Sequence, residues 1–289
     1  MITSTDGVRL AVQESGDPAN PTLVAIHGYP DNHTLWDGLV PLLTDRFHVV
    51  TYDVRGAGDS DRPSGVSAYR IEQLVEDFGA VIDAVSPDAP VHLLAHDWGS
   101  IQIWDALTEV TFGHRVSSFT SISGPSLDHA GLWMRGITDH PRAVLKQFLS
   151  SYYVVLYQLP WLPERIARAG LVDAMVAKSS SLGRSEKVRP PAEPTPEAES
   201  LVPLYRANFA RRLSWPRPPR VHLPVQVIAP TEDAHVTVGV ALGAPAPYVD
   251  DLRTHTIPGN HWMVRQSPEV IARLVGEFID ELAHETASS

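Results

Sequence analysis

A chain of 289 residues with 43% hydrophobic content can bury a large core, while a formal net charge of −11 without any run of arginine or lysine argues against nucleic acid and against an anionic membrane surface. The absence of cysteine excludes disulfides and thiolate metal sites, and no apolar stretch reaches the roughly 20 residues that span a bilayer. Small molecules are the expected partners of a soluble, cytoplasmic protein, since the polar start Met1-Ile2-Thr3-Ser4-Thr5-Asp6 lacks the apolar centre of a secretion signal.

Val8 to Gln13 reads as a short strand, and the turn cluster Gly16 to Pro21 leads into a buried strand from Thr22 to Ile26. The turn His27-Gly28-Tyr29-Pro30 follows, then a helical pattern from about His33 to Leu43 and a strand from His48 to Tyr52. The glycines of Asp53 to Ser60 do not make a dinucleotide site, because Asp61 stands where a third glycine belongs and no helix opens there. Apolar residues at helical spacing predict a helix over Ile71 to Val85. The apolar run Val91 to Ala95 stops at His96-Asp97-Trp98-Gly99 and restarts as a helical pattern from about Ser100 to Thr108, which describes a strand, a tight elbow and a helix. A carboxylate at a helix start stays ionised and can attack carbon without first losing a proton. Asp97 is equally the residue type that caps a helix. Val116 to Ile122 is another strand.

From about Leu127 to Leu213 the strand and helix alternation lapses. The aromatic run Tyr152 to Tyr157, apolar helical patterns near Ile166 to Ala177 and the proline-rich piece Arg189 to Pro196 fill this stretch. It reads as a helical lid inserted into an α/β core, with a surface linker inside it that Glu193 and Glu197 merely keep soluble. The expected organisation is a core from 1 to 126, an insertion from 127 to 213 and the rest of the core from 214 to 289. The sheet resumes at Val225 to Ala229 and ends in the acidic pair Glu232-Asp233. A last strand, Thr254 to Ile257, precedes Gly259-Asn260-His261-Trp262, and Ser267-Pro268-Glu269 starts a closing helix through about Leu282. No internal repeat, H-E-x-x-H pair or phosphate loop is present, and His114, His129, His140 and His255 read as solvated or structural.

Along nearly its whole length the chain resembles the α/β-hydrolase-fold epoxide hydrolases. His27-Gly28-Tyr29-Pro30 looks like their H-G-x-P loop, Ala95-His96-Asp97-Trp98-Gly99 like their nucleophile elbow, and Gly259-Asn260-His261-Trp262 like their histidine loop, in the order this fold requires. The resemblance implies a mostly parallel sheet flanked by helices, with Asp97 as nucleophile, His261 as base and Asp233, rather than Glu232, as its acid. It makes the backbone amides of Tyr29 and Trp98 the oxyanion hole and puts His27, Pro30 and Trp262 against substrate. Tyr153, ahead of Gln158-Leu159-Pro160, and Tyr205, in Leu204-Tyr205-Arg206, match the two tyrosines that hold the epoxide oxygen, with Tyr152 and Tyr157 as alternatives to the first.

The implied reaction is attack of Asp97 on an epoxide carbon, a covalent ester, and its hydrolysis by water to a vicinal diol with no cofactor or metal. The apolar lid suggests a hydrophobic epoxide, a lipid among the candidates. Two readings compete. A haloalkane or haloacid dehalogenase shares Asp97, Asp233 and His261 but needs halide donors, for which Trp161 would have to serve beside Trp98. A ligand receptor would not need all three residues. More weakly, the chain resembles the hydrolase half of bacterial proteins in which such a domain precedes a short-chain dehydrogenase, and it stops at Ala287-Ser288-Ser289 just past the closing helix. Any NAD(P) would belong to that other half. A monomer or dimer is expected.

Overall fold

In a computed structural model that describes every residue except Glu109, Glu186, Pro218, Pro219, Ser288 and Ser289, the strands are β1 (Ile2–Thr3), β2 (Arg9–Leu10), β3 (Val12–Ser15), β4 (Thr22–Ile26), β5 (His48–Tyr52), β6 (Val91–His96), β7 (Val116–Ile122), β8 (Val225–Pro230) and β9 (Leu252–Ile257). β1 and β2 form a small hairpin-like pair. The other seven make one sheet in the order β3-β5-β4-β6-β7-β8-β9, parallel throughout except for β3 on β5. β4 and β5 are buried at every residue because helices cover both faces, whereas the edge strand β9 is only partly buried.

The order of the sheet fixes where a site can form. From β4 the chain moves to β5 on one side, then crosses back to β6 on the other, through α1 (Ile71–Val85). A crevice opens beyond the carboxyl ends of β4 and β6, where the strand order reverses. Two loops meet there. After β6 come α2 (Trp98–Ala106) and α3 (Val110–Gly113), and after β7 come seven helices: α4 (Leu127–Arg135), α5 (Pro141–Ser150), α6 (Tyr152–Tyr157), α7 (Leu162–Arg168), α8 (Leu171–Ser180), α9 (Pro196–Ser200) and α10 (Val202–Ser214). The closing part supplies α11 (Val238–Gly243), α12 (Met263–Gln266) and α13 (Pro268–Ala287).

The core lies on both sides of the sheet. One cluster joins α1 and α2 to the sheet and runs into Tyr157, Leu201 and Tyr205 of the inserted helices. The other packs Trp36, Trp262, Ile271 and Val275 on the opposite face. The inserted helices are tied down by buried polar groups: Asn208 accepts from the Ile71 amide at 2.9 Å and donates to the Tyr69 carbonyl, and Asn260 donates to the Ser180 and Leu182 carbonyls. Arg212 pairs with Asp105 and Asp128.

Five local expectations change. His33 to Leu43 is not one helix but two 3₁₀ turns, His33–Trp36 and Val40–Leu42, the first capped by Asn32 and the second carrying Pro41, which has no amide for a longer helix. The first strand is split between β2 and β3. The elbow helix starts at Trp98, two residues early, and the closing helix runs on to Ala287. Glu197 is not a solubilising linker residue: it is buried, accepts the Gly58 amide at 2.9 Å and lies 3.6 Å from Arg62. No helix among the described residues is long and apolar enough to cross a membrane.

Candidate active site

Asp97 sits between β6 and α2 with φ 52° and ψ −121°, a backbone region that a side chain normally avoids. Its carboxylate makes no capping bond to its own helix, so the cap reading of this residue falls. One oxygen, Oδ1, accepts the Tyr29 amide at 2.7 Å, and the other lies 3.6 Å from His261 Nε2. The approach is possible because a Cβ on Gly28 would lie 2.4 Å from Asp97 Oδ1, and one on Gly99 would lie 2.2 Å from the Ile26 carbonyl. Only glycine lets the β4 loop, the elbow and α2 close on one another.

His261 donates from Nδ1 to Asp233 Oδ2 at 2.9 Å. The other Asp233 oxygen accepts the amides of His235 and Val236 at 2.7 and 2.9 Å, which fixes the carboxylate in its loop after β8. Glu232 is exposed at the surface. Burial alone would raise the Asp97 and Asp233 carboxyls, but the imidazole between them outweighs it and both are held below the usual range. Burial alone would likewise lower His261; the two carboxylates prevail and raise it to about 10. In the free protein the imidazole is therefore a cation clasped by two anions.

Two further histidines pack on this ring, and nothing in the sequence patterns singled them out. His96 donates from Nε2 to the His261 carbonyl at 2.9 Å, and burial together with the neighbouring imidazolium lowers it to about 4. His235, two residues beyond Asp233, stacks edge-on against His261 and Tyr153, and its buried Nε2 has no partner among the described residues. Burial first, then His261, lowers it to about 4 as well. Their positions, next to Asp97 and Asp233 in the chain, were the available signal.

The sequence-derived tyrosines separate cleanly. Tyr153 and Tyr205 line the same cavity as Asp97, their rings 5.9 Å apart, and burial with the nearby Asp97 charge pushes both phenols far above their ordinary value. They are neutral hydrogen-bond donors. Tyr152 is 63% exposed, and Tyr157 is buried behind them, its hydroxyl 2.9 Å from that of Tyr29. Tyr29 brings its amide to Asp97, but its hydroxyl is spent on Tyr157 and the Ala198 carbonyl. Trp98 lines the cavity with its ring against Tyr205 and Phe209.

Pro30, joined to Tyr29 by a cis peptide, and Trp262 line a small pocket beside His261. His27 does not. Its ring turns into the core, accepting the Val54 amide at 3.0 Å and bonding the Gly28 carbonyl, so its place is under the loop rather than against a ligand. Trp161 is 60% exposed with Arg165 stacked on it and lines neither cavity around Asp97, so it cannot be the halide donor a dehalogenase would need.

The space around Asp97 is lopsided. On one side lies an almost wholly apolar cavity of ≈ 240 Å³ walled by Ile101, Leu127, Met134, Phe148, Val155 and Phe209. On the other is a pocket of ≈ 20 Å³ between Pro30, Met175, Val176, His261 and Trp262. Asp97, Tyr153, Tyr205 and His235 face both. Among the described residues no group of three His, Asp or Glu side chains could hold a metal ion.

Residues 21–151 match the family described as alpha/beta hydrolase fold. The probable oxidoreductase EphD of Mycobacterium tuberculosis is 38% identical over 297 residues, covering 97% of this chain and 49% of that protein. Epoxide hydrolase A of the same species is 32% identical over 157 residues, or 54% of this chain and 46% of that one. The chain thus spans about half the length of EphD. Among solved structures, the Bacillus megaterium epoxide hydrolase in complex with an inhibitor superposes with a TM-score of 0.77 at 21% identity, covering 97% of this chain and 100% of that chain.

Proposed function

The chain belongs to the α/β-hydrolase fold and has epoxide hydrolases among its relatives, and from that premise we propose that it opens a hydrophobic epoxide to a vicinal diol through a covalent ester on Asp97. The observation that carries the reading is the arrangement at the elbow: one Asp97 oxygen held by an amide, the other 3.6 Å from an imidazole fixed by Asp233, and two neutral phenols in the same cavity.

In the first half-reaction Asp97 Oδ2 forms a bond to one ring carbon as the carbon–oxygen bond of the ring breaks. The electron pair goes to the ring oxygen, which takes a proton from the Tyr153 and Tyr205 pair. In the second, the tyrosinate takes the proton of the His261 imidazolium, and the imidazole, now neutral, removes a proton from a water in the small pocket as the oxygen attacks the ester carbonyl. The amides of Tyr29 and Trp98 hold the resulting oxyanion. Collapse passes the hydroxyl proton of the tetrahedral carbon to the departing alkoxide, frees the diol and restores the Asp97 carboxylate, and His261 keeps the proton taken from water, returning to the cation it was at the start. The pocket of ≈ 20 Å³ is large enough for one water. Residues 127 to 213 act as the lid that excludes bulk water from these steps. Alignment with only half of EphD supports a hydrolase part of a two-part protein, and the lack of cysteine fits a cytoplasmic compartment.

Intact-mass measurement tests the ester. His261→Gln, incubated with an apolar terminal epoxide, should gain the mass of one substrate molecule, and Asp97→Asn should gain none. A mass gain on Asp97→Asn, or turnover that survives it, would place the chemistry elsewhere.

A further inference from the structure

The outer surface of the inserted helices carries an exposed apolar stripe. Leu145, Phe148, Leu149, Tyr152 and Val155 follow one another along α5 and α6 at helical spacing, with Leu159 just past the end of α6, and Phe148 and Leu149 are 60% and 64% exposed. A face this apolar on a surface helix marks a contact with something apolar.

Two observations say what that is. The first is continuity: Phe148, Tyr152 and Val155 are at once exposed and part of the wall of the cavity that ends at Asp97. The stripe is the rim of the entrance. The second is charge. The chain as a whole is −11, yet residues 135 to 184 hold seven arginines and lysines against three aspartates and glutamates, and all three lysines of the protein lie between 146 and 187. Arg142 and Lys146 share a face of α5 with Leu145 and Leu149 at the spacing i, i+3, i+4, i+7. Both are exposed, and neither has a carboxylate partner among the described residues. Arg165 lies over the exposed Trp161 ring nearby in the chain, at 4.7 Å. The overall negative charge, which argued against a membrane surface, hides a local reversal.

We propose that this face docks on a lipid bilayer bearing anionic headgroups, with the apolar stripe in the interface and the entrance of the cavity opening onto the acyl chains. An amphipathic helix with lysine and arginine beside its apolar side binds such a surface in this way. A hydrophobic epoxide then passes from bilayer to Asp97 without crossing water. A protein seated on the same stripe would close the entrance instead. The proposal rests on the epoxide-hydrolase reading only for the fate of the molecule that enters, so docking and turnover are measured separately.

Cosedimentation with vesicles tests it. Vesicles of phosphatidylcholine and phosphatidylglycerol should carry down more protein than phosphatidylcholine alone, and the excess should vanish at about 1 M salt, where charges are screened beyond about 3 Å. Arg142→Glu/Lys146→Glu should lower binding to the anionic vesicles roughly tenfold or more, and Leu145→Glu/Leu149→Glu should abolish it. Both variants should hydrolyse a water-soluble epoxide at the unmodified rate in the absence of lipid. Loss of that rate in the unmodified chain would count against the chemistry and leave docking to be judged on sedimentation. Docking is overturned if neither vesicle binds, if the variants bind as the unmodified chain does, or if light scattering shows a dimer that Leu145→Glu/Leu149→Glu dissociates, since a second copy would then cover the stripe.

Discussion

His261 is shared by two carboxylates, and its protonation follows from how many of them are charged. In the free protein both are anionic and the imidazole is held at about 10, yet the second half-reaction needs it neutral. Ester formation solves this, because it removes the Asp97 charge. Coulomb's law for charges about 4 Å apart at an effective dielectric of about 20 gives roughly 4 kcal/mol, equivalent to about 3 pH units. The base is switched on by the reaction it completes. Asp97→Asn should therefore bring the His261 titration, followed by its ring-proton NMR signal, down by a comparable amount; an unchanged midpoint would refute the coupling. The same linkage has a sign for stability. A raised imidazole stabilises the fold fully below its unfolded value near 6.5, and that contribution decays as pH rises to about 10. The phenols act at the other half-reaction. Tyr153→Phe or Tyr205→Phe should slow formation of the ester by about 10² to 10³, as for loss of one preorganised donor, with hydrolysis of the ester unchanged in single-turnover experiments. Asp97, Asp233 and His261 were legible because each lies on the loop after a strand in a recognisable context. His27 belonged to the same motif but points into the core, and neither motif nor spacing tells which way a loop residue turns.

At the level of elements, β4, β5, β7 and α1 run over the residues expected of them, since β-branched runs and a clean helical period leave little choice. The inserted helices were visible as a lapse in alternation and as apolar helical patterns near Ile166 to Ala177, without their individual bounds. Beside the apolar cluster they share with the core, they are tied to it by polar pairings distant in sequence, and such pairings leave no local periodicity. Asn208 is the clearest case, joining α10 to the start of α1 through two buried bonds, to the Ile71 amide and the Tyr69 carbonyl. Asn208→Ala leaves the Ile71 amide without its partner and should cost about 1 to 3 kcal/mol, read as a lower midpoint in urea. If α10 is held chiefly by Tyr205, Leu204 and the apolar core, the midpoint will not move. Glu197, mistaken for linker chemistry, shows the same limit: its partner is the Gly58 amide, far away in the chain. Gly28→Ala would drive a methyl group into Asp97 and Trp98, so the backbone must shift, and turnover should fall even where the protein still folds.

Across the whole molecule the sheet, the loops and the inserted helices leave unequal room on the two sides of Asp97, ≈ 240 Å³ against ≈ 20 Å³. An epoxide carries substituents on two carbons, and both must fit while one of them faces the carboxylate. The large side accepts a long apolar chain. The small side, bounded by Pro30, Met175, Val176 and Trp262, must also admit the water that His261 activates, so a bulky group there excludes the second half-reaction as well as the first. A terminal epoxide with one alkyl chain should accordingly exceed the internal epoxide of the same carbon number in kcat/KM. Discrimination of about 1 to 3 kcal/mol per misfitted methylene corresponds to roughly 5- to 150-fold. Met175→Ala widens the small side and should narrow the preference by accepting the internal epoxide, with the terminal one little changed. Equal kcat/KM for the two epoxides in the unmodified protein would mean that the inserted helices move enough on binding to erase the asymmetry, and the shape of the closed cavity would then say nothing about substrate choice.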